Sequence, residues 1–214
     1  MPSTPDPLRA LRDPLRQRLR AQRAALAPAE RLTAGAAIAA QLAALPAFAG
    51  ASRLAGYFAC GGELPLHEVP ARCRQQGTHY LLPVLGRGRV MRFARWRSGQ
   101  PLAPNRYGIP EPVADEAALR GARTLDLVLL PLLAFARNGA RLGSGGGFYD
   151  ASFAFLRKQA RPARPLLCGI AYAFQELPAD DPALAPQPWD VPLDTVLTER
   201  EIIQCSKEPP CTTG

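Results

Sequence analysis

Apolar residues follow two different rhythms along the chain, and the change of rhythm marks its organisation. Between residues 15 and 45 they recur at helical spacing. "LRQRLRAQRAAL" sets leucines and alanines on one face and arginines on the other. "PAERLTAGAAIAAQLAAL" is a second, more apolar helix that stops before Pro46. Asp13 followed by Pro14 predicts the start of the first helix, a cap and then a first-turn proline. Beyond residue 50, short apolar runs alternate with helical or turn-rich segments. "RLAGYFA", "HYLLPVL", "VMRFARW", "LDLVLLPLL", "PLLCGIAY" and "DTVLTERE" read as strands. "PLHEVPARCRQQG", "EPVADEAALRGA" and "GFYDASFAFLRKQ" supply helical segments between them. This alternation predicts an α/β fold: a single domain with a mixed, mostly parallel sheet and helices on both faces, a Rossmann-like three-layer α/β/α arrangement. No repeat or long linker divides the chain, so the expectation is one domain over residues 1–204 and a flexible tail over 205–214.

Composition narrows the classes. A chain of 214 residues can bury a substantial core. No apolar stretch reaches the ~18 uninterrupted residues of a membrane span. The N-terminal segment has arginines but no apolar core of a secretory signal, so the cytoplasm is the expected compartment. Cys60, Cys73, Cys168, Cys205 and Cys211 form no C-x-x-C pair, and His67 and His79 are the only histidines, which excludes a zinc signature. The first three cysteines read as reduced structural residues. The net charge of +8 fits either a solvated basic surface or attraction to an anionic partner such as a nucleotide. Nucleic acid is not an expected partner, because no strand interleaves aromatic with basic residues.

"GARLGSGGGFYD", residues 139–150, follows the apolar run "LDLVLLPLLAF". Strand, glycine loop and helix in that order can bring backbone amides to a phosphate, and the same glycines also suit a tight structural turn. The loop has neither the lysine of a P-loop nor a glycine at the closing position of a dinucleotide fingerprint, where Phe148 stands. Asp150, just beyond it, reads equally as a magnesium ligand or as a first-turn aspartate favoured by the helix dipole.

The same stretch, "PLLAFARNGARLGSGGGFYD", resembles the nucleotide-binding signature of the 5-formyltetrahydrofolate cyclo-ligase (methenyltetrahydrofolate synthetase) family. "FACGGELPL", "NRYGIPEP" and "PWDVPLDTVLTE" resemble three further segments of that family, in the same order and at compatible spacing. The resemblance implies closure of 5-formyltetrahydrofolate, which can carry a polyglutamate tail, to 5,10-methenyltetrahydrofolate, with ATP split to ADP and phosphate and Mg2+ as the metal. The formyl oxygen is phosphorylated and N10 then attacks the activated carbon, so no nucleophilic triad is expected. It further implies ATP contacts from Arg12, Arg16, Arg141, Leu142, Gly143, Ser144, Gly145, Gly146, Gly147, Phe148 and Tyr149, with Arg141 and Asp150 catalytic. Folate would meet Phe58, Glu63 and Tyr107 together with the loop from Ser144 to Phe148, Glu63 bonding the pterin, and Asp150 and Asp190 would hold the metal. A monomer is expected. Ala136 stands where the family usually has aspartate, Ser144 where it often has a large residue, and Arg12 where it has lysine. The alternative reading is a weakened member that binds folate or nucleic acid without turnover.

Overall fold

Leu127–Pro131, "LVLLP", is buried on both faces, as a central parallel strand must be. The computed structural model, which describes residues 7–205, builds its main sheet around this segment. In chain order the helices are α1 (Pro7–Ala25), α2 (Pro28–Ala44), α3 (Pro46–Ala49), α4 (Val69–Gln76) and α5 (Phe148–Ser152). The strands are β1 (Arg53–Ala55), β2 (His79–Leu85), β3 (Met91–Arg95), β4 (Leu102–Pro104), β5 (Pro110–Pro112), β6 (Leu127–Pro131), β7 (Ala134–Phe135), β8 (Arg141–Leu142), β9 (Leu166–Ile170), β10 (Thr195–Leu197) and β11 (Ile202–Gln204). The seven-stranded sheet runs β11-β10-β9-β6-β1-β2-β3. Pairings among β10, β9, β6, β1 and β2 are parallel, and the two edge strands are antiparallel.

Alternation within the buried strands divides the core in two. Leu54, Leu127, Leu129 and Cys168 face a cluster with Ile38, Leu42, Phe48 and Val69 from α2, α3 and α4. Ala55, Val128, Leu130 and Leu167 face the other side, where Ala122, Phe153 and Leu156 cover them. That second layer is thinner than expected, being the five-residue α5 and three-ten turns at 122–124 and 154–158. A third, smaller cluster seats Leu19 of α1 on Leu133, Ala134, Ala136, Leu142 and Leu184.

Three expectations need correction. The first helix already runs at Pro7, with Pro14 inside it. Asp13 is not its cap, and instead pairs with Arg9 at 3.2 Å and Arg16 at 2.7 Å. "GFYDASFAFLRKQ" does begin a helix, which gives way at Phe153 to a three-ten turn. Cys205 is not part of a tail: it is half-buried against the second cluster, and its N–H donates to the Asp194 carbonyl at 2.9 Å. Cys211 and the rest of the expected tail lie outside the described residues. Cys60, Cys73, Cys168 and Cys205 are all free thiols. No helix among the described residues is long and apolar enough to cross a membrane.

Candidate active site

Successive strands leave β1 in opposite directions, β2 to one side and β6 to the other. Such a switch in strand order opens a crevice at the carboxyl ends of the strands. A cavity of about 910 Å³ lies there, lined by Tyr57 and Phe58 after β1, Pro83 and Leu85 on β2, and Pro131 at the end of β6. Arg12, Arg16, Phe58, Glu63, Tyr107, Arg141, Leu142, Gly143, Ser144, Gly145, Gly146, Gly147, Phe148, Tyr149, Asp150 and Asp190 all line it. Every binding, catalytic and metal-site residue expected from the family resemblance therefore reaches one chamber.

The glycine loop does not follow β6 directly. The β7–β8 hairpin intervenes and is docked on the segment around residue 193. Gly139, in that hairpin's turn, has φ +88°, and a Cβ there would sit 2.6 Å from the Leu193 carbonyl. Its own carbonyl accepts from Leu193 N–H at 2.9 Å. Glycine is thus required twice over, by conformation and by space. This docking carries Trp189 and Asp190 to the loop.

Two arginines of α1 grip the loop from outside. Arg16 Nε donates to the Gly143 carbonyl and Arg20 Nη2 to the Ser144 carbonyl, each at 3.1 Å. In a planar trans peptide the N–H points opposite to the carbonyl. Fixing these two carbonyls toward α1 therefore aims the N–H groups of Ser144 and Gly145 away from it. Among the described residues, the N–H groups of Ser144, Gly145 and Gly146 have no protein acceptor. Successive free amides of this kind form an anion cradle. The helix dipole adds little, because α5 is only five residues long.

Arg141 and Asp150 form one unit. Arg141 Nη2 donates to Asp150 Oδ1 at 2.6 Å, and Nη1 donates to the Val191 carbonyl. Asp150 Oδ1 also accepts from Val191 N–H at 3.1 Å, so the neighbouring Asp190 is brought alongside. Burial raises the Asp190 carboxyl above the ordinary range, and the like charge of Asp150 raises it further. Asp190 keeps one bond, from Gln187 N–H at 2.8 Å. Arg12 is committed more fully than the sequence suggests: Nε and Nη2 donate to the Ala183 and Ala185 carbonyls, both at 2.9 Å.

At the other end, Glu63 sits on a tight turn. Gly61 and Gly62 have φ +57° and +76°, and Glu63 N–H donates to the Cys60 carbonyl at 3.1 Å. Positive φ at both central positions is the mirror-image turn that "CGGE" suits. Cys60 N–H in return donates to Glu63 Oε2 at 3.1 Å. Burial raises the Glu63 carboxyl, opposed by this bond and by Arg23. The β4–β5 hairpin closes the mouth. Asn105 Oδ1 caps its turn through Tyr107 N–H, and Glu111 Oε2 accepts from Leu85 N–H at 3.0 Å. Tyr107 then packs edge-on to Phe148, ring centres 5.8 Å apart. Tyr149 stacks instead on Phe153, toward the core.

The sequence profile of the 5-formyltetrahydrofolate cyclo-ligase family matches residues 9–199, which takes in every element of this site. The chain belongs to that family. The 5-formyltetrahydrofolate cyclo-ligase of Escherichia coli K12 is 30% identical over 190 residues, covering 86% of this chain and 98% of the relative. The enzyme of the same name from Haemophilus influenzae is 32% identical over 149 residues, covering 69% of this chain and 75% of its own. The solution structure of Aquifex aeolicus 5,10-methenyltetrahydrofolate synthetase superposes with a TM-score of 0.75 at 26% identity, covering 95% of this chain and all of that one.

Within a cyclo-ligase frame, the departures acquire locations. Ala136 is fully buried among leucines, where the β7–β8 hairpin meets α1. Ser144 is exposed on the loop, and only its carbonyl is used. Sequence reading missed Arg20, Arg89, Asn105, Glu111, Arg157 and Trp189. Of these, Asn105 and Glu111 were legible as the polar ends of "NRYGIPE". The arginines were not, because nothing in an arginine-rich chain distinguishes those that reach the site from those on the open surface.

Among the described residues no three His, Cys, Asp or Glu side chains converge as a metal cage. Asp150 and Asp190 are instead a pair of oxygen-donor acids lining the chamber, and the burial that raises the Asp190 carboxyl, with the Asp150 charge adding to it, is a cost that a divalent cation would offset. That set fits Mg2+, which is commonly held by one or two carboxylates together with substrate phosphates and water.

Proposed function

We propose that the chain closes 5-formyltetrahydrofolate to 5,10-methenyltetrahydrofolate at the expense of ATP, with Mg2+ as the metal. The observation that carries this reading is convergence: segments as distant as Arg12, Glu63, Tyr107, the 143–149 loop and Asp190 line one chamber.

The chemistry follows from what each end can hold. The amides of 144–146 and the guanidinium of Arg16 receive the phosphates. Arg141 keeps Asp150 oriented and supplies positive charge where the γ-phosphoryl group moves. Asp150 and Asp190 would hold Mg2+, which neutralises phosphate charge when bound. Glu63 accepts N–H bonds from the amino-pyrimidinone edge, with Phe58, Tyr107 and Phe148 giving apolar walls. Held this way, the formyl oxygen takes the γ-phosphoryl group as ADP leaves, N10 attacks the formyl carbon and gives up its proton to solvent, and phosphate leaves with that oxygen. The protein's work is alignment and charge neutralisation, not nucleophilic attack.

The test is coupling. Purified protein with ATP and Mg2+ is expected to release ADP only when 5-formyltetrahydrofolate is added, and unformylated tetrahydrofolate should not substitute. ADP release at the same rate without the formyl compound would overturn the proposal.

A further inference from the structure

Five arginines line the chamber: Arg12, Arg16, Arg89, Arg141 and Arg157. Four of them are already engaged, each donating to a protein carbonyl or carboxylate. Arg89 is the exception. Among the described residues its guanidinium has no protein acceptor and no acidic partner. It lies on the exposed bend 86–90, "GRGRV", between β2 and β3. A free guanidinium fork on the wall of a cavity can take both oxygens of a carboxylate at once.

The bend that carries Arg89 is braced. Met91 N–H donates to Ser152 Oγ at 2.8 Å, which ties the start of β3 to α5. Arg106, in the turn of the β4–β5 hairpin, donates from Nη1 to the Gly86 carbonyl at 2.8 Å and from Nη2 to the Gly88 carbonyl at 3.2 Å. The same guanidinium lies over Tyr107, 5.2 Å from the ring centre. Bend and hairpin are thus one piece. This bracing leaves Arg89 Nη1 3.7 Å from where a Cβ on Gly147 would stand, at the far end of the glycine loop. Arg16 flanks the loop at Gly145 instead, 3.8 Å from the corresponding point. Glu111, the acid of the hairpin, is taken by Leu85 N–H at 3.0 Å and Asn105 Nδ2 at 3.3 Å.

A folate is polar in opposite senses at its two ends. The amino-pyrimidinone offers N–H donors, and the glutamate carries two carboxylates. Glu63 suits the first and repels the second, so the glutamate end must lie elsewhere in the chamber. Tyr107 and Phe148 give the apolar stretch between, and Arg89 stands beside that wall on the exposed bend. We propose that Arg89 binds a carboxylate at the glutamate end of the folate. The braced bend then fixes the span between the two ends of the substrate and selects folates whose tail is ionised. This rests on the reading of the chamber as a 5-formyltetrahydrofolate site.

The experiment compares 5-formyltetrahydrofolate with its diamide, in which both glutamate carboxylates are neutral amides, in wild type, Arg89→Met and Arg87→Met. Kd for each folate and for ATP is measured beside melting temperature. Wild type should bind the acid about tenfold more tightly than the diamide, the size of one charged hydrogen bond. Arg89→Met should bind the two alike, with Kd for ATP unchanged. Arg87 shares the bend but does not line the chamber, so Arg87→Met should keep most of the preference. An Arg89→Met protein that still prefers the acid overturns the proposal. So does one that loses acid and diamide equally while ATP binding weakens, because the guanidinium then serves the phosphates. Equal loss of preference in both variants overturns it too, since only the general positive field would be at work. Arg89 is exposed, so Arg89→Met should melt with wild type, and a fall of several degrees would make Arg89 a strut of the bend and refute its role as a ligand. Wild type that binds ATP but neither folate sinks the underlying reading, whereas equal binding of acid and diamide by wild type sinks the Arg89 assignment alone.

Discussion

Replacing Asp190 by asparagine should move stability and activity in opposite directions. The Asp190 carboxyl is raised by burial and by Asp150, so the ionised form costs the folded state free energy at neutral pH. Asparagine keeps the shape and an oxygen to accept the Gln187 N–H at 2.8 Å, while removing the charge. The gain is modest because Asp190 is only half-buried and solvent screens it: up to about 1 kcal/mol, or roughly 2–4 °C in melting temperature for a domain of this size. The pH dependence fixes the sign. A carboxyl raised on folding stabilises the native state while protonated, and that contribution is lost as pH rises through its folded pKa. Asp190→Asn should therefore match wild type at acid pH and melt higher at neutral pH, in metal-free buffer. If Asp190 holds Mg2+, turnover should fall on the order of 100-fold or more, and Mg2+ with nucleotide should no longer stabilise the protein as it does wild type. Scanning calorimetry with and without Mg2+ and nucleotide, beside a turnover assay, reads both effects. A variant that melts several degrees lower and retains its activity would refute the reasoning and leave Asp190 a structural loop residue.

Gly139→Ala should destabilise by about 2–4 kcal/mol, from left-handed backbone plus the clash with the Leu193 carbonyl 2.6 Å away. Gly143→Ala meets nothing within 4 Å, so its stability should change by less than about 0.5 kcal/mol, and chemical denaturation separates the two. Replacing Arg16 and Arg20 together by alanine frees the carbonyls of Gly143 and Ser144, and should raise KM for ATP at least about tenfold while leaving that for folate nearly unchanged. Ala136→Asp, which restores the residue usual in the family, should cost at least about 2 kcal/mol here, because the side chain enters a cluster of leucines; thermal unfolding checks it.

The sheet was legible because its strands are continuous apolar runs: "LVLLP" and "LLCGI" could bury both faces only at the centre. The two small hairpins were not, because β4 and β5 are three residues each with prolines at their ends, too short for any period to register. Asp13-Pro14 misled because cap and interior use the same residues. Tertiary packing of Leu19 sustains α1 through the proline, and Asp13 serves two arginines instead. Most of the expected chamber residues came from four motifs in register, whereas the way they are held did not. That Arg141 is tied to Asp150, or that Arg16 grips the loop by its carbonyl, depends on backbone geometry that only the folded chain supplies.

The central claim is that the formyl oxygen itself becomes the phosphate oxygen. 5-Formyltetrahydrofolate labelled with oxygen-18 in the formyl group, turned over once with ATP and Mg2+, tests it by mass spectrometry of the inorganic phosphate. One labelled oxygen should appear in each phosphate released. Methenyl product accompanied by unlabelled phosphate would contradict the account.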